Sequence, residues 1–137
     1  MIIQLERKNK AYHFTAVNEG GNTLNIDANP AIGGENKGFR PMETLLAGLG
    51  GCSGIDVVSI LTKQKEPLED VKMTITAKRI EGAIPSLFET IHVEYHFFGN
   101  LNKEKIERAL ALTYDKYCSV AQILNKTAKL EYSYKLN

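Results

Sequence analysis

No charge of one sign dominates this 137-residue chain: 17 lysines and arginines stand against 16 aspartates and glutamates, a formal net charge of +1. Such a balance leaves no electrostatic footprint for nucleic acid or for an acidic membrane surface, and neither is expected as a partner. Internal repeats, low-complexity tracts and evident linkers are missing too, and residues 1–137 suffice for a single domain with a core of its own. Cysteine is scarce. Cys52 and Cys118 are the only two, they do not form a C-x-x-C pair, and no histidine lies near either in sequence. That excludes a thioredoxin-like motif and argues against a zinc site.

A long apolar run without charge is absent as well. Leu45 to Leu61 is the one stretch that invites a membrane reading, and it carries Asp56 well inside it. A carboxylate near a bilayer centre costs about 2.5–3.5 kcal/mol. The N-terminus alternates from Met1 to Leu5 and turns charged at Glu6, without the basic and apolar regions of a signal peptide. A cytoplasmic address is expected. In that reducing compartment two cysteines are reactive or incidental sooner than a permanent disulfide.

What is present reads as blocks of strands and helices. Residues 2–7, 11–17 and 23–28 alternate as strands, with Asn18-Glu19-Gly20-Gly21 as a turn, so the first part is a β-meander. Residues 29–40, with Pro30, Gly33, Gly34 and Gly38, form an exposed loop. Pro41 suits the first turn of a helix, where its missing N–H costs nothing, and Pro67 stops that helix after about Gln64. Residues 71–78 and 88–98 are β-rich. Asn102 is placed to cap an amphipathic helix reaching about Tyr114. A short helix near residues 118–124 and a closing strand over 128–135 complete an α+β order.

The most informative stretch is Leu45-Leu46-Ala47-Gly48-Leu49-Gly50-Gly51-Cys52-Ser53-Gly54-Ile55. Four glycines in a helix interior cost about 3–4 kcal/mol relative to alanine. They admit the close approach of another backbone or leave room beside a side chain for a small ligand. Cys52 sits amid this cleared ground. Read alone, it is more often a small buried hydrophobe than a reactive group. Cys118, in Lys116-Tyr117-Cys118-Ser119-Val120-Ala121-Gln122-Ile123-Leu124, falls near a helix start, where unpaired N–H groups favour a thiolate.

With Pro41-Met42-Glu43 ahead of the first of these stretches, the two together resemble the paired cysteine motifs of the OsmC/Ohr proteins. The order of elements agrees over nearly the whole chain. The run Gly51-Cys52-Ser53-Gly54-Ile55-Asp56-Val57-Val58-Ser59-Ile60-Leu61 is more similar to a less characterised OsmC-like branch than to the well-studied hydroperoxide reductases. The resemblance implies an α+β fold of antiparallel strands with a central cysteine-bearing helix, in an intertwined homodimer whose active sites lie at the subunit interface. It implies reduction of small organic hydroperoxides with no metal or organic cofactor, an external thiol or dithiol being the reductant. By motif, Cys52 matches the peroxidatic cysteine, Cys118 the resolving cysteine and Glu43 the glutamate after the proline.

The chemistry fits those roles. A thiolate attacks the O–O bond, and at a free pKa near 8.5 only about 3% of a thiol is ionised at pH 7. Attack leaves a sulfenic acid, which a second thiol condenses with to a disulfide that external thiols reopen. Glu43 lies nine positions before Cys52, half a turn off and about 13 Å along a continuous helix. It is therefore expected to face Cys52 of the partner subunit or to sit on a separate turn.

Two departures stand out. The characterised enzymes activate the thiol with an arginine, and here Arg7, Arg40 and Arg79 are candidates that no local motif selects. Asp56 lies one turn after Cys52 on the same face, where a carboxylate opposes a thiolate. These keep open the alternative of a non-enzymatic dimer binding an apolar or fatty-acyl molecule in the same cavity. His92 and His96 share a strand face and have no third ligand, so they read as ordinary strand residues, and residues 103–108 read as a solvated helix face.

Overall fold

A computed structural model describes every residue, Met1–Asn137. The chain divides into two compact units, Met1–Ala47 and Gly48–Asn137.

The first unit is a three-stranded antiparallel meander of β1 (Ile3–Arg7), β2 (Phe14–Asn18) and β3 (Thr23–Ile26) in the order β1-β2-β3. Its tight turn forms as the sequence dictates: Asn18 Oδ1 accepts from the Asn22 N–H at 2.8 Å, and Gly21 takes the positive φ of 83°. Ile3, Leu5 and Leu24 remain exposed on this small sheet. The following loop is held by Asp27, which is buried and accepts from the N–H groups of Ala28, Glu35 and Lys37 at 2.7, 3.0 and 3.1 Å. Burial pushes the Asp27 carboxyl up. The N–H groups of Lys37, Glu35 and Ala28 outweigh it and bring the group below its ordinary value.

Helix α1 (Pro41–Lys63) starts in the first unit and continues without a break into the second. The second unit adds a sheet of β4 (Asp70–Arg79), β5 (Phe88–Phe98) and β6 (Lys129–Leu136). Between β5 and β6 come α2 (Lys103–Leu112), a π-helical turn (Thr113–Tyr117) and α3 (Ser119–Leu124). Asn102 caps α2 as its sequence predicts, accepting from the Lys105 N–H at 3.2 Å. β4 and β5 are antiparallel, whereas β6 runs parallel to β5. The expectation of antiparallel strands is corrected there. The helical segment between β5 and β6 is long enough to return the chain to the end where β5 begins, and that gives a parallel neighbour.

Alternation on β5 builds the core of this unit: Ile91, Val93, Tyr95 and Phe97 are buried, while the residues between them are exposed or half-buried. Leu49, Val57 and Leu61 of α1 and Ile106 and Leu110 of α2 complete it. Each such side chain stabilises the fold by about 1.5–3 kcal/mol. α1 alone is long and apolar enough to cross a membrane, yet Leu49, Ser53, Val57 and Leu61 are buried within the protein.

Candidate functional site

Glycine decides how α1 meets its sheet. A Cβ on Gly50 would stand 2.9 Å from Ile75 Cδ1, and one on Gly54 2.8 Å from Met73 Cε. These two glycines let the helix settle onto β4. Gly48 and Gly51 have open space beside them, and Ile55 and Val58 are exposed. So two of the four glycines serve packing inside this chain, and two leave the outer face of the helix bare.

Between those faces sits Cys52, half-buried and unpaired. Below it Ser53 is fully buried and accepts a hydrogen bond from the Tyr95 hydroxyl at 2.7 Å, and Tyr95 and Tyr114 hydroxyls meet at 2.8 Å. Burial raises both phenols, so they stay protonated. This buried chain of hydroxyls joins α1, β5 and the π-helical turn close to Cys118.

Cys118 ends the π-helical turn and caps α3, its Sγ accepting from the Ala121 N–H at 3.4 Å. It is fully buried. Burial pushes its thiol up to about 11, and the neighbouring Cys52 and Asp56 add to the rise against the Ala121 N–H. The cap geometry that favours a thiolate in sequence terms is thus overridden by desolvation.

The structure brings Cys52, Asp56 and Cys118 together. One Sγ from each cysteine and a carboxylate oxygen of Asp56 all lie within 4.8 Å of one another. Asp56 Oδ2 is buried and has no hydrogen-bond partner. A cavity of about 350 Å³ adjoins the cluster, lined by Asp56, Ser59, Ile60, Lys63, Gln64, Leu112 and Tyr117.

The other candidates stand elsewhere. Glu43 is exposed on the first turn of the unbroken α1, and its Oε2 accepts from the Arg40 N–H at 2.9 Å, closing the helix start. Arg7 bonds the carbonyls of Ala11 and Lys10, and Arg40 bonds Gly38 O and Asn36. Arg79 donates twice to Ser86 O, at 3.0 and 2.7 Å, in the β4–β5 hairpin. His92 pairs with Ser133 Oγ at 2.7 Å, and the His96 ring lies tilted against Phe98. Sequence reasoning missed Ser53, Tyr95 and Tyr114, whose meeting depends on contacts 42 and 19 residues apart.

An α+β chain holding two free thiols in mutual reach around a glycine-rich helix defines the class. The model of the family described as OsmC-like protein matches residues 34–133, and the chain belongs to that family. Protein YhfA of Escherichia coli (strain K12) is 36% identical over 124 residues, covering 90% of this chain and 89% of that protein. A hypothetical protein of Aquifex aeolicus VF5 is 31% identical, with a TM-score of 0.82 over 99% of this chain and 96% of that one. The fold is also that of the organic hydroperoxide resistance protein OsmC of Legionella pneumophila. The TM-score there is 0.74 at 19% identity, over 98% of this chain and 95% of that one.

Proposed function

We propose that this protein is a cysteine-based peroxidase that reduces small organic hydroperoxides, with Cys52 as nucleophile and Cys118 as resolving thiol. The observation that carries the reading is the pairing itself: two sulfurs from distant motifs meet within 4.8 Å. Their environments divide the roles. Cys52 is the more accessible thiol, and Cys118 is buried and held protonated. The peroxide enters on the Cys52 side, an alcohol leaves, and Cys118 condenses with the sulfenic acid to a disulfide. An external thiol or dithiol restores the pair, and no metal or organic cofactor takes part.

The working unit in this reading is a cytoplasmic homodimer. Exposed Ile3, Leu5 and Leu24 on the small sheet, and exposed Ile55 and Val58 beside the open Gly51, are apolar surface of the kind a second copy covers. Glu43 then acts on Cys52 of the partner subunit. Reduced protein mixed with an alkyl hydroperoxide and a dithiol is expected to consume the peroxide, and Cys52→Ser to fall to background. Equal turnover in both would end the reading.

A groove of about 440 Å³ along Gly50, Gly51, Gly54, Ile55, Val58 and Met73 supports the second reading, a binder of apolar or fatty-acyl molecules. Mass spectrometry of ligands retained through native purification, together with inert thiols, would favour it.

A further inference from the structure

Resolution poses a chemical problem that the site itself defines. Cys118 must give up a proton as it attacks the sulfur of Cys52, and the hydroxyl leaving that sulfur must gain one. A thiol held at about 11 is ionised in about one molecule in ten thousand at neutral pH. The proton therefore needs an acceptor in place. The groups facing Cys118 are Cys52 and Asp56 on α1, Tyr95 on β5 and Tyr114 on the π-helical turn. Both phenols are raised, protonated and tied to each other and to Ser53. No histidine is available: His13 pairs with Asn25, His92 with Ser133, and His96 lies on Phe98. That leaves Asp56.

Asp56 has the geometry for the task. It stands one helical turn after Cys52, on the same face. Its carboxylate is within 4.8 Å of both sulfurs. Its Oδ2 is buried and unpartnered, so an acceptor that has lost its hydration has capacity to spare. The neighbouring cavity opens at the same residue, giving the released water a way out.

Resting on the peroxidase reading above, we propose that Asp56 is a catalytic residue of the resolving step, relaying the Cys118 proton to the hydroxyl that leaves Cys52. One carboxylate oxygen takes the proton from Cys118 Sγ as the S–S bond forms. The carboxyl group hands that same proton on to the departing hydroxide as the S–O bond breaks. Water leaves, both sulfurs end in the disulfide, and Asp56 returns to its starting charge. The two electrons for the peroxide came from Cys52 in the first step, and the external thiols return two when they reopen the disulfide. The carboxylate beside the thiols is thereby a working part of disulfide closure.

The test separates the two steps. Reduced wild type, Asp56→Asn and Asp56→Glu are each mixed with one equivalent of an alkyl hydroperoxide. Sulfenic acid is trapped with a dimedone probe, disulfide is read by intact mass, and closure is expressed per sulfenic acid formed. Closure in Asp56→Asn is expected to slow about a hundredfold at pH 7, the scale of general acid–base catalysis. That deficit should shrink about tenfold per pH unit as hydroxide replaces the relay. Asp56→Glu, which keeps a carboxylate, should close faster than Asp56→Asn. Equal closure in wild type and Asp56→Asn, or in the two variants, overturns the relay alone. Neither sulfenic acid nor disulfide in the wild type overturns the relay and the peroxidase reading together.

Discussion

Two carboxylates, one in each unit of the chain, are treated in opposite ways. Asp27 is 1% exposed and its oxygens accept three backbone N–H groups, so it orders the loop after β3. Asp56 stands beside two thiols with a buried oxygen that accepts nothing. A satisfied buried carboxylate holds structure. One left unsatisfied beside reactive groups is destabilising on its own account, and chemistry supplies the reason to keep it. Asp27 belongs to the scaffold and Asp56 to the site.

The largest expected effect that sharpens this contrast is on closure. Asp56→Asn should lose most of its rate of disulfide formation while its thermal unfolding changes little or improves. Asp27→Asn should do the reverse: its melting temperature falls clearly, while reactivity of the reduced thiols is unchanged. Calorimetry and thiol kinetics on the same two samples check both, and a matching pattern in the two variants would erase the distinction.

Next in size is the difference between the two thiols. Iodoacetamide at pH 7 should modify Cys52 first and leave Cys118 largely unmodified, because the latter is buried and protonated up to about pH 11. Peptide mapping reads the order, and faster labelling of Cys118 would reverse the assigned roles. A smaller effect is expected beneath the site. Tyr95→Phe removes the hydroxyl that joins Ser53 and Tyr114, and should cost about 1–2 kcal/mol in denaturant unfolding.

The mildest prediction concerns acid. Asp27 lies below its ordinary 3.8, and Glu66 below 4.5 through the Asn102 N–H and Lys105. A group whose folded pKa is depressed stabilises the fold above its unfolded value, and that contribution is lost as pH falls through the folded one. Stability should therefore hold near pH 5 and decline below about 4. Asp27→Asn should flatten that decline, and an unchanged acid limb would remove Asp27 from the account.

Much of the fold was legible in the chain. The β-rich composition of residues 88–98 marks β5, Pro41 and Pro67 bracket α1, and Asn102 caps α2 as expected. The meeting of Cys52 and Cys118 was legible only through the resemblance of their motifs, since nothing local to either residue points to the other. The π-helical turn that delivers Cys118 has no period of its own to read. The Ser53–Tyr95–Tyr114 chain depends on tertiary packing, as does the split among the glycines: Gly50 and Gly54 face β4, and Gly48 and Gly51 face open space. Asp56 stood out in the sequence as an obstacle to a thiolate. It does raise Cys118, and its orphaned oxygen and its reach to both sulfurs are what the proposed relay rests on.

Under the proposed function, Cys52 and Cys118 together reduce an organic hydroperoxide. One equivalent of an alkyl hydroperoxide added to the fully reduced protein, followed by peptide mapping, tests it most directly. One Cys52–Cys118 disulfide within each chain and one equivalent of alcohol are expected. Intact peroxide beside two free thiols would contradict it.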